Sequence, residues 1–152
     1  GARQRRRRPC RVQRNPYFDL GCLNMSTALR SVALTATPEI VLAYGKLTED
    51  FNPLHVDPAF AARTPMGGCI AHGTMSICLL WQSLFRSFGA LEPERIALDV
   101  RFVQPVRVGE TIHAGGELQE GEVDCYTVWV RGDDGADRVT GTARLLPVKE
   151  PV

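Results

Sequence analysis

No stretch of 18 consecutive apolar residues occurs in this 152-residue chain, so no helix is expected to cross a membrane. The N-terminal region lacks the apolar centre of a secretory signal. The five cysteines, Cys10, Cys22, Cys69, Cys78 and Cys125, are odd in number and match no zinc-binding spacing. They are expected to be reduced thiols of a cytoplasmic protein, with Cys78 and Cys125 filling the core. Acids are nearly missing from residues 1–24, where seven arginines face Asp19 alone and the net charge is +6; the remainder carries −5. A mildly acidic body is a poor nucleic-acid binder, so neither nucleic acid nor membrane is expected as a partner.

The basic run Gln4–Arg8 reads as a localisation signal, a nucleic-acid arm, a transit segment, or sequence upstream of a start at Met25. The expected organisation is a basic tail over 1–24 and a single domain over 25–152. Hydrophobic residues at 44% and charged residues at 23% suit one ordinary globular domain of this length.

Thr37-Pro38-Glu39 supplies an N-cap, a proline at the first helical position and an acid in the first turn. Ile40, Val41, Tyr44 and Leu47 follow at helical spacing, so a helix is expected to about Thr48. Pro53 disfavours helix at Asn52, which predicts a turn or loop from Asp50 to His55. Asp57-Pro58 predicts a second cap and a short helix to about Ala62, and Thr64–Gly68 reads as a loop. Gly73 to Phe88 is helix-compatible and apolar nearly all round, which predicts a buried helix stopped by Gly89.

The period then changes to two. Ile96, Leu98, Val100 and Phe102 alternate with Ala97, Asp99 and Arg101, and Pro105 implies a bulge or an edge. Further strands are expected at 106–108, 111–119, 123–131 and 138–146, with turns at Gly109-Glu110 and Asp133-Asp134-Gly135. The expected class is α+β, an antiparallel meander wrapped round one long apolar helix.

Candidate chemistry lies in Asp50-Phe51-Asn52-Pro53-Leu54-His55 and in Ile70-Ala71-His72-Gly73. The first places a carboxylate and an imidazole five residues apart across a proline. The second puts a glycine at a predicted helix N-terminus, where N–H groups lack partners. Such parts can activate a water and polarise a carbonyl. Each also has a plain structural reading: Asp50 as a turn cap, His55 as a surface or satisfied core histidine. Asn52 is assigned to turn structure, Asp57 to an N-cap and His72 to structural support. His55 and His72 lack the i, i+4 spacing of a helical metal pair, so no metal is expected.

Tyr44 through Ala62 resembles the signature segment of the MaoC-like dehydratases, which include (R)-specific enoyl-CoA hydratases. Cys69–Met75 is similar to that family's Ile-x-His-Gly-Met segment. Arg101–Val106 and Gly109–Ile112 resemble its Phe-x-x-Pro-Val and Gly-Asp-Thr strand pair. The resemblance covers about residues 30–147. It implies a hot-dog fold, a homodimer, and hydration of trans-2-enoyl thioesters to (R)-3-hydroxyacyl thioesters, or the reverse. It also implies that Asp50 and His55 hold one water and share general-base and general-acid duties, while the Gly73 N–H binds the thioester oxygen. No cofactor is implied.

The carrier, coenzyme A or acyl-carrier protein, would meet a basic rim, for which Arg63, Arg86 and Arg101 are candidates. Alternatives are a hot-dog thioesterase and a non-catalytic acyl-thioester binding protein. Two departures stand out. Thr48-Glu49-Asp50 replaces the common Ser-Gly-Asp, which is expected to reshape the turn. Thr74 stands where methionine is common, either altering the acyl pocket or capping the helix.

Overall fold

The computed structural model describes residues 27–89 and 92–147; the tail expected over 1–24, with Cys10 and Cys22, lies outside them. Thr37 caps as expected: its Oγ1 accepts the Ile40 N–H at 3.3 Å, and helix α1 runs Pro38–Thr48. Asn52 is extended (ψ 127°), as a residue before proline should be. Pro53 then begins a helix instead of preventing one, so the predicted loop is corrected to a single turn, α2, Pro53–Val56. Asp57 Oδ1 accepts the Phe60 N–H at 3.0 Å and caps α3, Pro58–Ala61. Helix α4 spans Gly73–Phe88 and stops at Gly89, whose φ is 74°.

Strand β1, Val32–Thr35, escaped the sequence reading; β2 is Ile96–Phe102, β3 Thr111–Leu118, β4 Cys125–Gly132 and β5 Asp137–Leu145. They form one antiparallel sheet in the order β1-β3-β4-β5-β2. Only β3-β4-β5 is a meander. The expected continuation from β2 through a 106–108 strand into a hairpin is corrected. β2 pairs with β5 at one edge, residues 103–110 cross to β3, and the expected 106–108 strand is reduced to the Ile70↔Arg107 bridge. The proline at 105 has no N–H for a ladder, which suits this break. The Asp133–Gly135 turn is present between β4 and β5, with Gly135 at φ 75°.

Helix α4 lays Met75, Leu79, Leu80, Leu84 and Phe88 on the inner face of the sheet, against Ile112, Tyr126, Val128 and Val130. Full burial of each large apolar side chain stabilises by roughly 1.5–3 kcal/mol, as an upper bound. The helix is not buried all round. One sheet covers one face, leaving Cys78, Gln82 and Arg86 exposed and Ile77, Trp81 and Phe85 half-buried. Cys78 is thus not core filler, whereas Cys125 is buried. Among the described residues, no helix is long and apolar enough to cross a membrane.

Candidate active site

The site forms where the end of α1, the short α2 and the start of α4 meet. After Thr48 the chain reverses through Glu49 in the left-handed conformation (φ 56°, ψ 27°), where glycine is the usual residue. The Asp50 N–H donates to the Gly45 carbonyl at 3.0 Å. Gly45 sits inside a helix, where glycine costs about 1 kcal/mol relative to alanine. A Cβ there would stand 2.9 Å from the Asp50 carbonyl oxygen and 3.6 Å from the His72 ring. Its absence lets the Asp50 main chain and His72 pack against α1.

Asn52 Oδ1 accepts the Leu54 N–H at 3.0 Å, and the Asn52 N–H donates to Asp50 Oδ1 at 3.2 Å. The turn thereby holds one oxygen of the Asp50 carboxylate, whose side chain is half-exposed. In α2, half-buried His55 places Nδ1 2.8 Å from the Ile70 carbonyl. A carbonyl only accepts, so Nδ1 carries a proton, and in the neutral ring the lone pair is on Nε2. The Ile70 N–H returns a bond to the Leu54 carbonyl at 3.2 Å, so α2 and the 70–72 segment are tied in both directions.

His72 is 3% exposed and precedes α4. Its Nε2 donates to the Asp50 main-chain oxygen at 3.0 Å, while the Asp50 Oδ2 lies 3.9 Å away, too far for a hydrogen bond. Its ring lies against that of His55, with centroids 3.9 Å apart and planes 31° apart. Support of the main chain and of the His55 ring is therefore what His72 provides. Its Nδ1 is buried with no hydrogen-bond partner among the described residues.

Gly73 opens α4, and its N–H makes no hydrogen bond among the described residues. An unpartnered N–H at the positive end of a 16-residue helix can donate to an oxygen that develops negative charge. Thr74 does not cap the helix; it accepts the Tyr44 hydroxyl at 2.9 Å, tying α4 to α1. Burial raises the Tyr44 phenol pKa above its ordinary value.

His55, Gly73 and Ser76 line a cleft of about 330 Å³ whose other walls are Met66, Ile70, Phe102, Val103, Gln104, Pro105 and Val106. A second cavity, about 270 Å³, also has His55 in its wall. None of Arg63, Arg86 and Arg101 lines either cavity. Arg101 sits with Asp99, Thr140 and Thr142 in a separate hollow. Instead Arg107, which the sequence reading did not single out, bonds through Nη1 to the Met66 carbonyl beside the cleft.

Asp50, His55 and His72 each offer an atom within 4.8 Å of the others, so sequence spacing was the wrong guide to whether these groups gather. Coordination of a metal by His72 Nε2 would break the bond that holds the Asp50 main chain. The sequence reading assigned no role at the site to Gly45, Ile70 or Phe102. Phe102 covers Gly73 closely enough that a Cβ at 73 would stand 3.1 Å from its ring. A glycine inside an otherwise good helix was the available signal for Gly45; the other two depend on tertiary contacts.

The family profile of the MaoC like domain matches residues 25–139. The (R)-specific enoyl-CoA hydratase of Aeromonas caviae is 34% identical over 107 residues, covering 68% of this chain and 80% of that protein. The 3-hydroxyacyl-thioester dehydratase Z of Mycobacterium tuberculosis is 36% identical over 90 residues, 56% of this chain; the chain spans only 59% of that protein's length. The solved (R)-hydratase from A. caviae involved in PHA biosynthesis superposes with a TM-score of 0.66 at 30% identity, covering 84% of this chain and 99% of the other.

Proposed function

Because this chain belongs to the MaoC-like domain family, and has its α+β hot-dog fold, we propose that it is a hydro-lyase adding water to trans-2-enoyl thioesters, or removing it from (R)-3-hydroxyacyl thioesters. The observation that carries this reading is the gathering of Asp50 and His55 within 4.8 Å, with His55 and Gly73 in the wall of one cleft. A bridging water needs a little under 3 Å to each partner, roughly what such a separation allows.

In the proposed reaction the enoyl thioester enters the cleft with its carbonyl oxygen at the Gly73 N–H. A water held between Asp50 and His55 adds its oxygen to C3. Its proton passes to the pair, with the His55 Nε2 lone pair available to accept it. The C2–C3 π electrons shift toward the thioester oxygen, where the Gly73 N–H and the α4 dipole stabilise the enolate. The pair then returns a proton to C2, so one water is added across the double bond. Dehydration runs through the same groups in reverse. The thioester carrier is coenzyme A or an acyl-carrier protein.

We propose the same fold as a homodimer. β2 is an edge strand with one side unpaired within the described sheet, and Phe102 and Val103 at its end are 58% and 48% exposed beside the cleft. Light scattering is expected to give a dimer; a fully active monomer would refute this. The basic tail over 1–24 is proposed to lie outside the catalytic domain.

The decisive experiment is crotonyl-CoA hydration followed by loss of the conjugated thioester absorbance. Wild type is expected to turn over and yield (R)-3-hydroxybutyryl-CoA. Asp50→Asn and His55→Gln are each expected to lose on the order of 10²–10⁴-fold. Release of free thiol instead would indicate a thioesterase. Binding without turnover across a panel of chain lengths and both carriers would indicate a binding protein.

A further inference from the structure

Residues 103–106 of the crossover 103–110, which belongs to no strand, share the cleft lining with His55 and Gly73. Main-chain bonds tie the crossover to Ala36, Cys69 and Ala71, and the Arg138 carbonyl accepts the Val103 and Gln104 N–H groups; its two ends also converge on one side chain. Arg138, at 8% exposure, donates through Nε to Glu110 Oε1 at 2.8 Å and through Nη1 to Gln104 Oε1 at 3.0 Å. Nη2 lies 2.6 Å from Glu110 Oε1 and 2.9 Å from Asp134 Oδ2, and Nη1 also reaches the Ala136 carbonyl at 3.0 Å. One guanidinium thus grips both ends of the crossover and pins them to the β4–β5 turn.

Gly132 makes the room: a Cβ there would collide with Glu110 Oε1 and stand 2.6 Å from Arg138 Nη2. The other Glu110 oxygen accepts the Arg107 N–H at 2.9 Å. The middle of the crossover then meets the site, because the Val106 carbonyl accepts the Ala71 N–H at 2.8 Å, one residue before His72 and two before Gly73. A planar fork of donors is suited to this multiple grip; an ammonium is a single point charge.

We propose that Arg138 is a positioning residue for the cleft, fixing the crossover as the wall against which the thioester is held opposite Gly73. The proposal rests on the hydratase reading for its kinetic consequence, and on the geometry alone for its effect on the crossover. It touches no reacting atom. Loosening the wall removes binding common to ground and transition states, which raises KM and leaves kcat nearly unchanged.

The test compares full-length wild type with Arg138→Lys, which keeps the charge, and with Arg138→Ala, rescued by millimolar guanidinium ion. Arg138→Lys is expected to raise KM for crotonyl-CoA by about tenfold with kcat within about threefold. Guanidinium is expected to lower the raised KM of Arg138→Ala. Amide exchange in Arg138→Lys is expected to rise about tenfold or more at Ala71 and across 103–110, with Val128 and Val130 in the core unchanged. An unchanged KM with no selective rise in exchange would overturn the proposal. So would a uniform rise that includes the sheet, which would make the cluster a general fold staple. Should wild type itself hydrate no enoyl thioester, the hydratase reading falls, and selective exchange at 71 and 103–110 still decides whether Arg138 fixes the wall.

Discussion

Replacing Glu49 by glycine is expected to stabilise the protein. Glu49 is the only non-glycine residue among those described with positive φ. Placing an L-residue in the left-handed region costs roughly 1–2 kcal/mol. Glycine removes that cost but gives the unfolded chain more freedom, worth roughly 0.5–1 kcal/mol against folding. The Glu49 side chain is exposed, so little packing is lost. The net gain at the centre of those ranges is about 0.75 kcal/mol, or a rise in Tm of about 1.5–3 °C for a domain of this size. Thermal unfolding at fixed protein concentration measures it, concentration being held because the Tm of the proposed dimer would depend on it. Glu49→Asn should gain part of the increment, since asparagine tolerates this conformation, and Glu49→Ala should gain almost none. An alanine variant as stable as the glycine variant would refute the reasoning, because relief of charge repulsion beside Asp50 would then be the cause. kcat/KM is expected to change little in Glu49→Gly, since the Asn52 N–H and His72 still hold the Asp50 turn.

Gly73→Ala places a methyl group 3.1 Å from the Phe102 ring and at the mouth of the proposed oxyanion site; folding should survive because Phe102 is exposed and can move, while turnover should fall on the order of 10²-fold in the hydration assay. Gly141→Ala would drive a Cβ into the Asp99 carbonyl of the neighbouring strand β2, so this variant is expected to be recovered mostly unfolded, as circular dichroism will show. Burial raises the Tyr126 phenol pKa above its ordinary value. Above about pH 10 the unfolded chain therefore loses this proton first and stability falls with rising pH. Urea midpoints between pH 9 and 11 should fall less steeply in Tyr126→Phe, and equal slopes would count against this.

What the sequence made legible was local. Thr37-Pro38 and Gly89 marked helix ends because caps act within one turn. The 111–119 and 138–146 strands showed through period-two alternation and lie within a residue of their observed ends. The partner of β2 was not legible, because the pairing of Ile96–Phe102 with 139–145 joins segments some forty residues apart and no turn signal encodes it. The exposure of Cys78 was hidden for a related reason: an apolar helix reads alike whether one face or all of it is covered, and a single sheet covers only one. β1 was short and its alternation was overlooked. At the site, Asp50, His55 and Gly73 stood out as residue types and by the family resemblance. Their assembly was not readable from spacing, and the argument from i, i+4 spacing failed because His55 and His72 meet across a loop rather than along a helix.

That assembly is made chiefly by main-chain groups. The Ile70 carbonyl sets the His55 tautomer, the Asp50 carbonyl holds His72, the Asn52 N–H holds the Asp50 carboxylate, and the Gly73 N–H is itself the proposed oxyanion donor. Side chains surrounding the site therefore act on it mostly by moving backbone. Three places have that leverage: the left-handed turn at Glu49, the close approach at Gly45, and the crossover gripped by Arg138. Substitution at Gly45 or Arg138 should change the orientation of the site while leaving Asp50 and His55 chemically intact, whereas glycine at 49 should relax the turn without moving it. Loss of Asp50 or His55 should remove the chemistry and leave the fold, since Asp50 is half-exposed and neither side chain belongs to the hydrophobic core. Measuring Tm beside kcat and KM separates the two classes, because the first moves KM or stability and the second moves kcat alone.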